Sequence, residues 1–188
     1  MEQTSSKLES PGSHKVHDKV SNVHYPDSAV SEEASASNNS SLCPLSADIK
    51  EFKKYYGVLK ETMHRKDLIT DVKLLKTIEL KQIQPYERCC FLLQLGNFYM
   101  SNVFPVVDSA QVQRHRDITH LANYMLGIKK SQKDCHVALK CPCGSHSHNL
   151  MKNFKDEYFK METGAAAIKA VGELNILFHW IESNHHSQ

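Results

Sequence analysis

Cysteines and histidines crowd one stretch of the chain. The segment "DCHVALKCPCGSHSH", from Asp134 to His148, holds three cysteines and three histidines in fifteen residues. Thiol and imidazole groups at such short spacing can bind a zinc ion, or the thiols can be oxidised to disulfides. A disulfide framework needs partners elsewhere, and the adjacent Cys89 and Cys90 in "ERCCF" are candidates. Disulfides would indicate an oxidising compartment, whereas free or zinc-bound thiols would indicate a reducing one.

The chain has an even number of cysteines, none of them within the first 42 residues: Cys43, Cys89, Cys90, Cys135, Cys141 and Cys143. An even set is typical of a disulfide framework, although six cysteines permit 15 pairings. A bond between the neighbours Cys89 and Cys90 would close a strained eight-membered ring, so each of them needs a separate partner. The spacing therefore favours three bridges.

The C-P-C unit offers two partners to that adjacent pair. Pro142 holds the backbone extended, so the cysteines on either side of it can reach the pair, in either order. The two remaining cysteines, Cys43 and Cys135, would then bond to each other. Each bridge would contribute about 3 to 5 kcal/mol in the chain-entropy model.

A zinc site is the alternative. Its tetrahedral ligands would be Cys141, Cys143, His146 and His148, with Cys135 or His136 as further candidates. The C-x-C and H-x-H spacings are tighter than those usual in zinc sites. The cage would also leave the adjacent cysteine pair without a role. We therefore predict no metal or other cofactor, and expect these histidines to be loop residues exposed to solvent.

Catalytic motifs are absent from the sequence. The chain contains no G-x-S-x-G, P-loop or H-E-x-x-H motif, and cysteines tied in bridges cannot act as nucleophiles. Residues 43–188 hold 20 basic against 15 acidic groups, a mild excess that a solvated charged face also produces. No run of about 18 apolar residues is present. We predict a protein that is not an enzyme, binds no nucleic acid and does not insert into membranes.

The N-terminal segment differs in composition from the rest of the chain. Residues 1–41 are rich in Ser, Asn, His and charge, so we predict a disordered extension, followed by one helical domain over residues 42–188. Asn38 and Asn39 begin overlapping N-x-S sequons, which are candidate glycosylation sites if the chain enters the secretory pathway. The first 20 residues have no apolar core of the kind that a secretory signal needs.

Apolar residues at helical spacing follow. They predict helices over 46–63, with Ser46 as N-cap, over 72–80 as a short or broken helix, and over 85–104, 116–130, 150–161 and 164–183. The segment "PVVDS" and the cysteine-rich stretch are predicted as loops. No segment alternates apolar and polar residues as a strand does. The pattern predicts an all-α bundle of five or six helices.

Four segments resemble the interleukin-10 family of helical cytokines, in particular its subfamily of interleukins 19, 20 and 24. They are "ERCCFLLQLGNFYMSNVF", "ITHLANYMLGIKK", "CHVALKCPCG" and "GAAAIKAVGELNILFHWIES", in the family's order across most of residues 43–188. The doubled cysteine, the C-x-C unit and the "AAAIKAVGEL…W" ending are specific in combination, and look most similar to interleukin-19 and interleukin-20. The resemblance implies a secreted, monomeric bundle of six or seven helices without catalytic activity.

The resemblance also implies a cysteine pairing and a function. The implied pairs are Cys43 with Cys135, Cys89 with Cys141, and Cys90 with Cys143. Such cytokines bring together the alpha and beta chains of the interleukin-20 receptor, a class II cytokine receptor heterodimer, and thereby activate Janus kinases and STAT factors. The alpha chain would meet the first helix, the link after it and the last helix. The beta chain would meet the first helix and the helix that begins near Pro85.

Candidate receptor contacts lie in two places. They are Arg65, Lys66 and Asp67 in the link after the first helix, and Lys169, Glu173 and Ile176 off the predicted buried stripe of the last helix. Trp180 is expected in the core rather than at a receptor. The rival hypothesis is an intracellular helical interaction module with a Cys/His zinc site, because a reducing compartment would leave the thiols unpaired.

Overall fold

The structure, a computed structural model, describes residues 43–44, 48–110 and 114–185. These residues belong to one compact unit, Asn39–Gln188. The predicted extension over residues 1–41, the sequon residues Asn38 and Asn39, and the predicted N-cap Ser46 lie outside the described residues.

Helices form all the regular structure of the described residues. They are α1 (Ile49–Lys66), α2 (Thr77–Gln82), α3 (Arg88–Phe98), α4 (Phe104–Ala110), α5 (His115–Leu139), α6 (Ser145–Lys160), α7 (Thr163–Gly172) and α8 (Leu174–His185). A 3₁₀ turn, Pro85–Glu87, precedes α3, and a π turn, Tyr99–Val103, joins α3 to α4. Because Pro85–Ala110 is one continuous run and only Glu173 separates α7 from α8, the described chain contains six helical rods. This confirms the predicted all-α bundle.

Helix α1 begins where a side chain caps it. The Asp48 carboxylate accepts bonds from the backbone N–H groups of Lys50 and Glu51, at 3.0 and 3.2 Å, and so satisfies two donors that have no partner inside the helix. The apolar stripe predicted from the sequence faces the core through Phe52, Tyr56, Leu59 and Met63. The spacing of these residues therefore determines which side of α1 is buried.

The run from Pro85 continues further than predicted. The expected loop "PVVDS" is wrong, because its residues lie in α4. Pro105 lacks an N–H group for the carbonyl four residues earlier, and the π turn immediately before α4 accommodates this loss by widening the helix. Within the same turn, the Asn102 carbonyl accepts a hydrogen bond from the Tyr158 hydroxyl at 2.8 Å. The chain thus passes a proline without leaving the helix.

The same run is both long and apolar. By length and composition alone Pro85–Val107 could cross a membrane, but 56% of its apolar window is buried within the bundle. It lies against both α5 and α6. Burial on two sides explains its composition, since a central helix needs apolar residues all round.

Helix α5 also extends beyond its predicted end. It runs through "SQKDCHVAL" to Leu139, so the expectation that this part of the cysteine-rich stretch is not helical is wrong. The segment contains no Gly or Pro to interrupt a helix, and Gln132 is buried. The helix ends at Lys140, which adopts the left-handed conformation with φ 52° and donates its N–H to the His136 carbonyl at 2.8 Å. Pro142 then prevents continuation.

The last rod fills the centre of the bundle. Its alanines Ala166, Ala167 and Ala170 are fully buried, and such small side chains let neighbouring helices approach closely. Trp180 is 6% exposed and meets the Phe91 ring edge-on, with centroids 5.7 Å apart. Its place in the core is the one expected from the sequence.

Candidate functional site

Three disulfides tie one end of the bundle together. The bonded pairs are Cys43–Cys135, Cys89–Cys141 and Cys90–Cys143, with Cα atoms 5.7, 6.0 and 5.3 Å apart. These separations lie within the usual range of about 4.4 to 6.8 Å. The pairs are those that the family resemblance implies, and no cysteine of the chain is free. We call this region the cystine clamp: two of its bridges join the first turn of α3 to the loop before α6, and the third joins the end of α5 to the segment before α1.

The clamp includes a close contact between the loop before α6 and the 3₁₀ turn that precedes α3. A side chain at Gly144 would collide with the carboxylate of Glu87, which is fully buried. Glu87 cannot easily move away, because its Oε2 accepts the backbone N–H of Gln84 at 3.0 Å. A larger residue at position 144 would therefore require Glu87 to move and to give up this hydrogen bond. On the other side, Gln94 Nε2 donates to the sulfurs of one bridge, Cys90–Cys143, at 3.1 and 3.3 Å.

The structure does not assemble the zinc cage considered from the sequence. Among the described residues, two groups have candidate ligand atoms within 4.8 Å of one another: Cys43, Cys135 and Cys141, and Cys89, His136 and Cys141. Neither group contains Cys143, His146 or His148, and every sulfur in both belongs to a bridge. His146 and His148 are exposed, as expected, but they begin α6 rather than a loop.

A different device holds the link between α1 and α2, residues 67–76. Lys169 on α7 is only 3% exposed. Its ammonium donates to the Ile69 carbonyl at 2.6 Å and to Asp67 Oδ2 at 3.2 Å, and lies 3.3 Å from Glu173 Oε1. The charge is thus satisfied by two carboxylates and one carbonyl, which a buried ammonium requires.

Glu173 holds the second half of the link. One of its oxygens, Oε2, accepts the backbone N–H groups of Leu74 and Leu75 at 2.9 and 2.8 Å. Burial raises the pKa of the Glu173 carboxyl above its ordinary value, although the Leu75 N–H and the Lys169 charge oppose part of the shift. Lys169 and Glu173 together form what we call the link anchor. It attaches both ends of the link to the junction of α7 and α8.

Helix α1 bonds to the same junction. The Gly172 carbonyl accepts the Tyr56 hydroxyl at 2.5 Å, and His64 Nε2 lies 3.1 Å from the same oxygen. The Tyr99 hydroxyl donates to the Ala170 carbonyl at 2.9 Å. Both carbonyls lie in the last turn of α7, where backbone acceptors commonly need partners from outside the helix. Burial raises the pKa of Tyr56 to about 12, so its hydroxyl remains a donor at physiological pH.

The structure corrects the predicted receptor-facing residues of the last helix. Lys169 and Glu173 do not face solvent, since they are 3% and 8% exposed. Their opposite charges lie one helical turn apart and bond to each other and to backbone groups of the link, so they can be buried together. Ile176 is half-buried against the core. None of the three is a freely exposed surface residue.

The candidates in the link are more accessible. Arg65 and Lys66 are exposed in the last turn of α1. Asp67 is the C-terminal cap of α1 and only half-exposed, because its carboxylate faces Lys169 and accepts the Ile69 N–H at 3.1 Å. The structure brings these three residues to the edge where the link leaves α1.

The spacing of apolar residues did not predict two exposed apolar side chains in and beside the link. Leu68 in the link is 87% exposed and Ile78 on α2 is 76% exposed. Both could have been noticed as apolar residues outside the helical stripes. Their exposure depends on how the link is held, which the spacing of residues does not reveal.

A groove between α1 and α8 lies near the same junction. It has a volume of about 420 Å³ and an aromatic floor formed by Phe52, Tyr56 and Phe178. A salt bridge of 2.8 Å between Lys53 and Glu182 crosses its rim. The groove thus presents apolar surface beside a polar edge.

Comparison with known proteins assigns the family. The family model described as Interleukin 10 matches residues 20–186. The chain is 34% identical to interleukin-20 of Mus musculus over 141 residues, covering 74% of this chain and 80% of that protein. It is also 34% identical to interleukin-19 of Mus musculus over 143 residues, covering 76% and 81%.

A solved structure agrees with these matches. The crystal structure of human interleukin-19 superposes with a TM-score of 0.67 at 28% identity, covering 77% of this chain and 93% of that one. Sequence similarity, the helical architecture and the three disulfides therefore all indicate the same family. The chain belongs to the interleukin-10 family of cytokines, which are secreted, non-enzymatic signalling proteins.

Proposed function

We propose that the chain is a secreted, monomeric cytokine that joins two chains of a class II cytokine receptor, of the interleukin-20 receptor alpha and beta type. The assembled receptor then activates Janus kinases and STAT factors. Similarity to interleukin-20 and interleukin-19 supports this choice of receptor. The three disulfides support an extracellular site of action, since such bonds persist in oxidising compartments.

The observation that carries the proposal is the anchored link. Leu68 stands 87% exposed on a segment whose backbone is bonded to buried Lys169 and Glu173. The exposed Leu68 side chain, close in sequence to the exposed Arg65 and Lys66, offers a receptor apolar surface on an ordered segment. Because the link is already ordered, a receptor would lose little entropy in binding it.

The two receptor chains would use different sides of α1. The alpha chain would meet the end of α1, the link and α8, including the aromatic groove. The beta chain would meet α1 and the run that begins at Pro85. Lys169 and Glu173 enter this proposal as residues that position the link, rather than as exposed contacts.

Substitution of Leu68 tests the proposal. Leu68→Asp should weaken binding to the alpha-chain ectodomain by about 30-fold or more, the effect of losing one hot-spot residue of about 2 kcal/mol. The melting temperature should not change, because the side chain contacts little of the protein. Surface plasmon resonance measures the binding, STAT phosphorylation in receptor-bearing cells measures the signalling, and thermal unfolding measures the melting temperature.

Val137→Asp is the matched control. Val137 is 60% exposed on α5, away from the link, so this variant should bind and signal normally. Unchanged binding by Leu68→Asp, or an equal loss in the control, would remove the support for the proposed alpha-chain surface.

A further inference from the structure

Two of the three disulfides nearly touch. The Sγ atoms of Cys43 and Cys141, which belong to different bridges, are 3.1 Å apart and buried. Reacting atoms held about 3 to 3.5 Å apart are placed for an intramolecular step. If either sulfur becomes a thiolate, the neighbouring bridge is therefore within its reach.

The surroundings can accept the product of such a step. Cys89 Sγ lies 3.6 Å from the Gln132 carbonyl, an acceptor for a thiol S–H group. A ring nitrogen of His136 lies within 4.8 Å of the sulfurs of Cys89 and Cys141. The buried Nδ1 of His136 has no hydrogen-bond partner, so the ring can still form a hydrogen bond beside these sulfurs.

The third bridge is arranged differently. Neither Cys90 nor Cys143 belongs to the two groups of three possible ligand atoms that lie within 4.8 Å of one another among the described residues. Their sulfurs face the side-chain amide of Gln94 instead. This bridge is therefore a matched control for any exchange between the other two.

We propose that Cys135 is a site of modification by small thiols, and that its modification moves a disulfide within the clamp. Cys135 is half-exposed, whereas its partner Cys43 is buried. A small thiolate attacks the Cys135 sulfur, forms a mixed disulfide there and releases the Cys43 thiolate. That thiolate attacks the Cys141 sulfur, so a Cys43–Cys141 bond forms and the Cys89–Cys141 bond breaks.

The exchange conserves electrons and leaves one new thiol. Cys89 departs as a thiolate and takes a proton from solvent or from His136, after which its S–H can donate to the Gln132 carbonyl. The only co-reactant is the small thiol, which stays on Cys135. The result is a second disulfide arrangement of the same chain, with a reactive position at residue 135.

Serine variants of the full chain test the exchange without an added thiol. In Cys135→Ser, the free thiol should move from Cys43 to Cys89, with a Cys43–Cys141 bond. In Cys89→Ser, the free thiol should appear at Cys135 with the same Cys43–Cys141 bond. Acid quenching, alkylation and peptide mass spectrometry locate the bonds, and circular dichroism checks the fold.

Two further measurements keep the test decisive. In the control Cys143→Ser, the free thiol should remain at Cys90. If the variants do not fold, unmodified protein treated with limiting glutathione should yield Cys135 adducts together with Cys43–Cys141 peptides. Recovery of an intact Cys89–Cys141 bond with a thiol at Cys43, or of Cys135 adducts without any Cys43–Cys141 peptide, would overturn the proposal.

Discussion

The cystine clamp and the link anchor both fasten a non-helical segment to the bundle, but they do so by different means. The clamp uses three covalent bonds around the loop between α5 and α6. The anchor uses one buried ion pair, Lys169 with Glu173, and the backbone bonds that it makes to the link. This fold therefore fastens one loop covalently and its proposed receptor surface electrostatically.

The two devices should respond to different conditions. Disulfides stabilise mainly by restricting the unfolded chain, and are insensitive to moderate changes of pH or salt. A buried ion pair is costly to desolvate, and becomes strongly destabilising when one partner is removed. Substitutions in each region can therefore separate global stability from local order of the link.

Loss of two bridges should have the largest effect. Replacing both Cys89 and Cys90 with Ser opens two closures that each span just over 50 residues, and each is worth about 4 kcal/mol in the chain-entropy model. The two contributions overlap, but their sum approaches the whole stability of a typical domain. The variant should be unfolded at 37 °C or fail to be secreted, as circular dichroism and secretion assays would show. Unchanged melting temperature and receptor affinity would contradict the role of the clamp.

Removal of the buried ammonium should have the next largest effect. Lys169→Met keeps much of the side-chain volume but leaves Asp67 and Glu173 without their cation, which should cost about 3 to 5 kcal/mol. Chemical denaturation measures the loss. Lys160→Met is the matched control, because Lys160 pairs with Glu157 on the surface and such pairs contribute about 0 to 1 kcal/mol. Equal effects in the two variants would mean that the anchor is no stronger than a surface pair.

The smallest effect should be a pH dependence. Burial raises the pKa of Glu173 above 4.5, so the folded state favours the protonated form. The resulting stability is fully present below pH 4.5 and is lost as pH rises through the raised pKa. The free energy of unfolding of the unmodified protein, relative to Glu173→Gln, should therefore fall as pH rises from 4 to 7. Denaturation of both proteins across that range measures the difference in the free energy of unfolding. A difference that rises with pH would contradict the prediction.

Much of the fold could be predicted from the sequence, for reasons visible in particular residues. The stripe of α1 has the helical period, and its buried members are the ones predicted. The proposed loop at Pro105 was wrong, because a π turn stabilised by a distant tyrosine lets the helix continue. The extension of α5 was missed because Pro142 and Gly144 suggested an earlier end than Lys140 provides.

The candidate site was less predictable than the fold. Cysteines indicate their chemistry by type and spacing, which favoured three bridges over a zinc site, whereas the complete pairing was implied by the family resemblance. Lys169 and Glu173 look like ordinary surface charges, since their burial depends on backbone groups of Ile69, Leu74 and Leu75 about 100 positions away. No local pattern in a single sequence contains that information.

Amide hydrogen exchange at Leu74 and Leu75 tests the anchored link most directly. Both N–H groups donate to the buried Glu173 carboxylate, so their protection should approach that of amides in α7, and should fall sharply in Lys169→Met. Exchange in the unmodified protein as fast as in an exposed loop would contradict the account, because the proposed receptor surface would then not be preformed.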